Sequence, residues 1–80
     1  MTKNYGTAKE LPFNATEKST RTTLITNDDQ FVTLDNNIIV IASGWRWNFF
    51  NQKGEYITLS DIQSSWITEA TEKFTKYFPD

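Results

Sequence analysis

The stretch Asn37–Leu59, NIIVIASGWRWNFFNQKGEYITL, decides the fold. It opens on a β-branched run, passes Ser43-Gly44 into an alternation of aromatic and polar residues, and breaks at Asn51-Gln52-Lys53-Gly54 before Glu55–Thr58. Successive side chains on a strand point to opposite faces, so Trp45, Trp47 and Phe49 share one face and Arg46, Asn48 and Phe50 the other. In the preceding run Ile38, Val40 and Ala42 face one way and Ile39, Ile41 and Ser43 the other, and both sets are largely apolar. A strand of this kind in an antiparallel sheet is expected to be covered on both sides.

Gly44 is read as a bulge at which one long strand, 37–50, bends, in preference to a tight turn between two strands. Thr20–Thr26, Gln30–Leu34 and Asn37–Ser43 are rich in β-branched residues, are separated by Asn27-Asp28-Asp29 and Asp35-Asn36-Asn37, which are turn compositions, and read as three antiparallel strands. Residues 1–19 are polar apart from the island Leu11-Pro12-Phe13 and read as an extended or flexible arm. Downstream, Ser60-Asp61-Ile62-Gln63 has the form of a capping box. Beyond it Ile62, Trp66, Ile67, Ala70, Phe74, Tyr77 and Phe78 fall on one helical stripe, opposite Ser64, Ser65, Thr68, Glu72, Thr75 and Lys76. Glu69–Lys73 and Glu72–Lys76 are i,i+4 pairs in the favourable order.

The expected fold class is α+β: a curled antiparallel β-meander of four to five strands packed on one C-terminal amphipathic α-helix, from Ser60 to about Phe78. Residues 20–80 form that domain, behind the 1–19 arm. Its predicted core is Ile38, Val40, Trp45, Trp47, Phe49, Ile62, Trp66, Ala70 and Phe74. A single helix covers one face of the sheet. The other is left to a closed barrel interior, to the arm through Leu11-Pro12-Phe13, or to a second molecule, a twin included.

Composition narrows the chemistry. The chain has 80 residues, a formal net charge of −2, and neither Cys nor His, so it has no disulfide, no thiolate zinc site and no imidazole base. An aromatic content of 15% supplies core area that so short a chain needs. No apolar run is long enough to span a membrane and the first residues lack a signal-peptide core, so a cytoplasmic protein is expected. The sequon Asn14-Ala15-Thr16 then has no role.

Asp28 and Asp29 lie in one turn and Asp35 in the next, separated by a strand of about 20 Å at ~3.4 Å per residue, which precludes a joint acid pair or cation site. Turn aspartates also cap their own backbone. The three glycines form no phosphate loop and no nucleophile motif is present, so no catalytic residue, metal or cofactor is assigned and the chain is expected not to be an enzyme.

Two binding roles remain. The meander followed by a helix, and the stretch Tyr56-Ile57-Thr58-Leu59-Ser60-Asp61 leading to an early Trp66, resemble the dimeric single-stranded-DNA-binding fold of the transcriptional coactivator PC4. The resemblance implies single-stranded nucleic acid as partner, with Arg46, Lys53 and Arg21 beside stacking aromatics. Such a sheet is expected to be rich in Lys and Arg, whereas this chain is acidic and carries no basic cluster before its first strand.

The leading expectation is a protein partner, bound stoichiometrically by a monomer or a homodimer. Arg46, Asn48 and Phe50, with Lys53 in the next turn and the acidic pair Asp28 and Asp29, are the expected contact residues. Small acidic chains without His or Cys, rich in Asn, Thr, Ile and Lys, are common among phage and mobile-element accessory proteins, many of which act by occupying and inhibiting a host protein in its cytoplasm.

Overall fold

The computed structural model describes residues 4–13, 15, 24–44 and 46–79. Its strands are β1 (Tyr5–Thr7), β2 (Gln30–Thr33), β3 (Ile39–Ser43), β4 (Arg46–Phe50) and β5 (Tyr56–Ile57), and the chain closes with helix α1 (Ser64–Tyr77). The strands form a single five-stranded antiparallel sheet in the order β1-β2-β3-β4-β5, so the fold is α+β with the helix at the C-terminus.

The doubly apolar strand is covered on both faces. On one side Ile38 and Val40 join Val32, Leu34, Phe49 and Ala70 in a buried cluster, closed over by Trp47, Ile62, Trp66, Phe74, Tyr77 and Phe78. Trp47 meets Phe74 with ring centroids 5.3 Å apart. The helix-side core is therefore the predicted one, with Trp45 lying outside the described residues. On the other side Ile39 and Ile41 pack with Phe31, Phe50, Ile25, Ala8 and Ala15, together with Leu11, Phe13 and Tyr56. Of the three coverings open to this face, the chain's own N-terminal segment is the one adopted.

That segment is tied in by backbone bonds. Tyr5–Thr7 occupies the edge beside β2, with Tyr5 opposite Val32 and Thr7 opposite Gln30. A 3₁₀ turn, Ala8–Glu10, follows, held where Ala8 N donates to Asp29 O at 2.8 Å and Lys9 N to Asn27 O at 3.1 Å. Glu10 folds back to accept from Thr7 N at 2.8 Å. Leu11–Phe13 then crosses the sheet as a strap, and Phe13 ends against Phe50, at a centroid distance of 5.8 Å, and over Gly54. Gly54 has φ +87°, and a Cβ there would lie 2.7 Å from the Phe13 ring, so glycine satisfies both the backbone and the packing.

Three expectations are corrected. The edge strand beside β2 is 5–7 and not 20–26; residues 20–23 lie outside the described residues and Leu24–Thr26 is not a strand. Instead Leu24 O accepts from Ser43 Oγ at 3.1 Å, which delivers Ile25 into the strap-side core. Gly44 is a turn and not a bulge: Ser43 pairs with Arg46, and Gly44 takes φ +63° in the short connection between β3 and β4. The capping box at Ser60 does not form. Leu59–Asp61 makes its own 3₁₀ turn, in which Thr58 Oγ1 donates to Asp61 Oδ2 at 3.1 Å. Ile62 then takes an extended ψ of 126°, and the helix starts four residues later than Ser60, at Ser64.

Glu69 and Lys73 do meet, at 3.4 Å, whereas Lys76 lies 5.4 Å from the centroid of the Tyr77 ring and makes no ion pair with Glu72.

Candidate functional site

The expected contact residues are divided by the fold. Asn48 and Phe50 are 2% and 0% exposed, beneath the strap, so the side chains expected to meet a partner are interior. Their face was correctly assigned by alternation; its covering by Ala8, Leu11, Phe13 and Ala15 removes it from the surface. Arg46 is exposed at the start of β4 and Lys53 in the turn beyond its end, so at ~3.4 Å per residue the strand alone sets them about 14 Å apart. Asp28 is exposed, while Asp29 is engaged in its own turn, where Oδ2 accepts from Thr26 N at 2.7 Å. Arg46 and Asp29 share one end of the sheet, since Gln30 lies opposite Ala42 and Ser43 opposite Arg46.

The opposite end carries a feature that single-residue reasoning missed. Thr33 lies opposite Ile39 and Ile39 opposite Phe50, so the β2–β3 turn and the β4–β5 turn emerge side by side. Between them and the strap is a cleft of about 710 Å³. Its floor and walls include Phe31, Leu34 and Ile39 from the sheet and Leu11 and Pro12 from the strap, and its rim carries Asn4, Glu10, Asp35, Asn37, Gln52 and Lys73. That volume lies in the range of sites that enclose a ligand or a peptide side chain.

Each wall is fixed by local chemistry. In the β2–β3 turn, Leu34 N donates to Ile38 O at 2.7 Å, Asn36 Oδ1 accepts from Ile38 N at 3.2 Å, and Asn37 takes the left-handed φ of 69° that asparagine tolerates. In the β4–β5 turn, Asn51 Oδ1 accepts from Lys53 N and Glu55 N at 2.9 and 3.0 Å, and Asn51 Nδ2 donates to Glu55 Oε1 at 2.8 Å.

Helix α1 braces the first of these turns. Glu69 Oε2 accepts from Asp35 N at 2.7 Å, and Lys73 Nζ donates to Thr33 O at 2.6 Å while lying 3.4 Å from both Asp35 and Glu69. One ammonium thus faces two carboxylates. Asp35 is the outward member of the set, its side chain 91% exposed. The side-chain amides of Asn4, Asn37 and Gln52 line the rim, where among the described residues they have no hydrogen-bond partner, and so present donors and acceptors there.

The aromatics are committed to packing. Phe31 and Phe49 are buried on opposite faces and Phe50 is fully enclosed; the large apolar side chains exposed among the described residues are Tyr5, Leu24, Leu59 and Ile67. No cluster of three or more acidic metal-binding side chains occurs among the described residues, and no helix there is long and apolar enough to cross a membrane.

The turns around the cleft were legible from Asp35-Asn36-Asn37 and Asn51–Gly54, and a meander places alternate turns at the same end. The signal for the third wall was Leu11-Pro12-Phe13, the lone apolar island of the arm. Comparison with protein-family models, with curated proteins and with solved structures finds no match.

Proposed function

We infer that the protein works stoichiometrically, by binding another protein. The observation that carries this reading is the cleft at the 35–37 and 51–54 end of the sheet, which the described residues leave unfilled, with Leu11 and Pro12 of the strap on its wall and side-chain amides and Asp35 on its rim. Apolar floors with a few convergent polar groups are the usual form of recognition sites. Apart from Tyr5, which is stacked on Tyr77 and 45% exposed, the aromatic side chains of the described sheet are packed in two internal cores, which leaves few stacking platforms of the kind that single-stranded nucleic-acid binding uses. Along β4 the separation of Arg46 from Lys53 likewise leaves these two cations as separate points and not as a continuous track for a phosphate backbone. Both faces of β3 are closed within one chain, so the reading does not call for a second copy.

The chain's composition makes bacterial proteins the first partners to screen, as targets of an accessory protein that occupies and inhibits them. The test is to offer the full chain to a displayed library of folded bacterial domains and, in parallel, to oligo(dT) at low salt, with sedimentation to fix the stoichiometry. A discrete 1:1 complex with a protein, and no shift with the oligonucleotide, is the expected outcome. Retention of the oligonucleotide alone, weakening as salt rises, overturns it in favour of the nucleic-acid reading.

A further inference from the structure

We propose that the cleft receives an extended segment of the partner protein that carries a Lys or Arg beside a large apolar side chain. The inference rests on the protein-binding reading and assigns its site and its chemistry. Three observations converge on it.

Phe31 and Ile39 are themselves 3% and 7% exposed, so the apolar surface open to an occupant comes mainly from Leu11 and Pro12 of the strap, and burial of an incoming apolar group against it is favourable at roughly 25 cal/mol per Å². The charge at the rim is unbalanced. Lys73 is held by a backbone carbonyl at 2.6 Å and shared between Glu69 and Asp35 at 3.4 Å each, which leaves one negative charge over. Asp35 carries that charge outward, and a partner cation meets it without displacing the bond from Lys73 to Thr33. Finally, the amides of Asn4, Asn37 and Gln52 combine a donor and an acceptor in one group, which matches the alternating N–H and C=O of an extended main chain. An occupant with an anionic side chain would face Asp35 directly, and a nucleic-acid strand would bring its phosphates to the same carboxylate.

The probe is a library of random displayed heptapeptides, selected on the full 80-residue chain. Two variants accompany it: Asp35→Lys, which reverses the rim charge, and Gln52→Trp, which fills the cleft from an exposed turn position. Urea midpoints of both establish that they fold. The expected result is enrichment of sequences with a basic residue next to Leu, Ile, Phe or Trp, whose Kd rises about tenfold or more in Asp35→Lys, more steeply at low ionic strength, and is lost in Gln52→Trp.

Enriched sequences that are acidic or uncharged and indifferent to Asp35→Lys overturn the assigned chemistry. Binders indifferent to both variants overturn the cleft as the site; either result leaves protein binding standing. No enrichment at all overturns this inference, and protein binding is then decided by the domain-display experiment alone.

Discussion

The ring of Tyr5 lies flat on that of Tyr77, with centroids 4.3 Å apart and planes within 10° of parallel. Phe78 closes on the same ring edge-on at 5.9 Å. The contact joins the first strand of the sheet to the last turn of the helix, so the two ends of the described chain hold each other in place. It also sets the start of the strap, because Tyr5–Thr7 leads straight into Ala8–Glu10.

Removing either ring is therefore expected to loosen the N-terminal segment. Tyr5 is 45% exposed, which limits the loss for Tyr5→Ala to about 1–2 kcal/mol. A double-mutant cycle of Tyr5→Ala with Tyr77→Ala in urea should return a coupling of about 0.5–1.5 kcal/mol. Additive losses would show that the stacking carries no energy of its own.

Arg46 and Phe50 occupy the same strand and alternate onto the same face, yet their substitutions are expected to diverge. Phe50 is wholly enclosed between Phe13 and Tyr56, so Phe50→Ala should cost about 3–5 kcal/mol, a large part of the stability of so small a domain. Arg46 is exposed, and Arg46→Ala should cost no more than about 1 kcal/mol, the range of an exposed polar interaction. Equilibrium urea unfolding of the two single variants separates them. Equal midpoints would place Phe50 outside the core.

The two turn glycines make a matched pair of tests. Both have positive φ, +63° at Gly44 and +87° at Gly54, so alanine is strained by about 1–2 kcal/mol at either site. At Gly44 a Cβ meets nothing within 4 Å, whereas at Gly54 it lies 2.7 Å from the Phe13 ring. Gly54→Ala must displace the strap's anchor as well, and its thermal midpoint should fall further than that of Gly44→Ala. Combining it with Phe13→Ala should recover part of the difference; a Gly54→Ala loss no greater than that at Gly44 would mean the ring moves aside freely.

How much of this was legible in the sequence follows from where the controlling interactions lie. The faces of β3 and β4 follow from period-two alternation, which is local, and so Ile38, Val40, Trp47 and Phe49 were placed on the helix side from residue order alone. The identity of the edge strand was not legible, because Thr20–Thr26 has the higher β propensity, Tyr5–Thr7 carrying a glycine, and the choice is made by distant partners, Val32 and Tyr77. The helix start was misread for a related reason. Ser60 has the chemistry of a cap, but the Thr58–Asp61 turn uses the adjoining polar groups and Ile62 is drawn onto the sheet cluster. The cleft depends on two turns and the strap converging, a tertiary outcome for which composition supplied only the turns.

Asn48 provides the sharpest test of the covered face. It lies opposite Ile41 within the sheet, 2% exposed, and its Nδ2 is buried with no hydrogen-bond acceptor among the described residues. A buried unpaired donor costs about 1–3 kcal/mol, and replacing it by an apolar group of similar shape removes that cost without opening a cavity. Asn48→Leu is thus expected to stabilise the chain by about 1 kcal/mol, a rise in Tm of about 4–8 °C for a domain of this size. Asn48→Asp, which introduces a charge at the same buried point, should move the midpoint the other way. Differential scanning calorimetry of the two variants checks both signs. A loss of stability in Asn48→Leu would mean that the amide is satisfied in solution, and hence that the strap admits water or an acceptor to this face; a gain would establish the strap as a tight cover over an apolar interior.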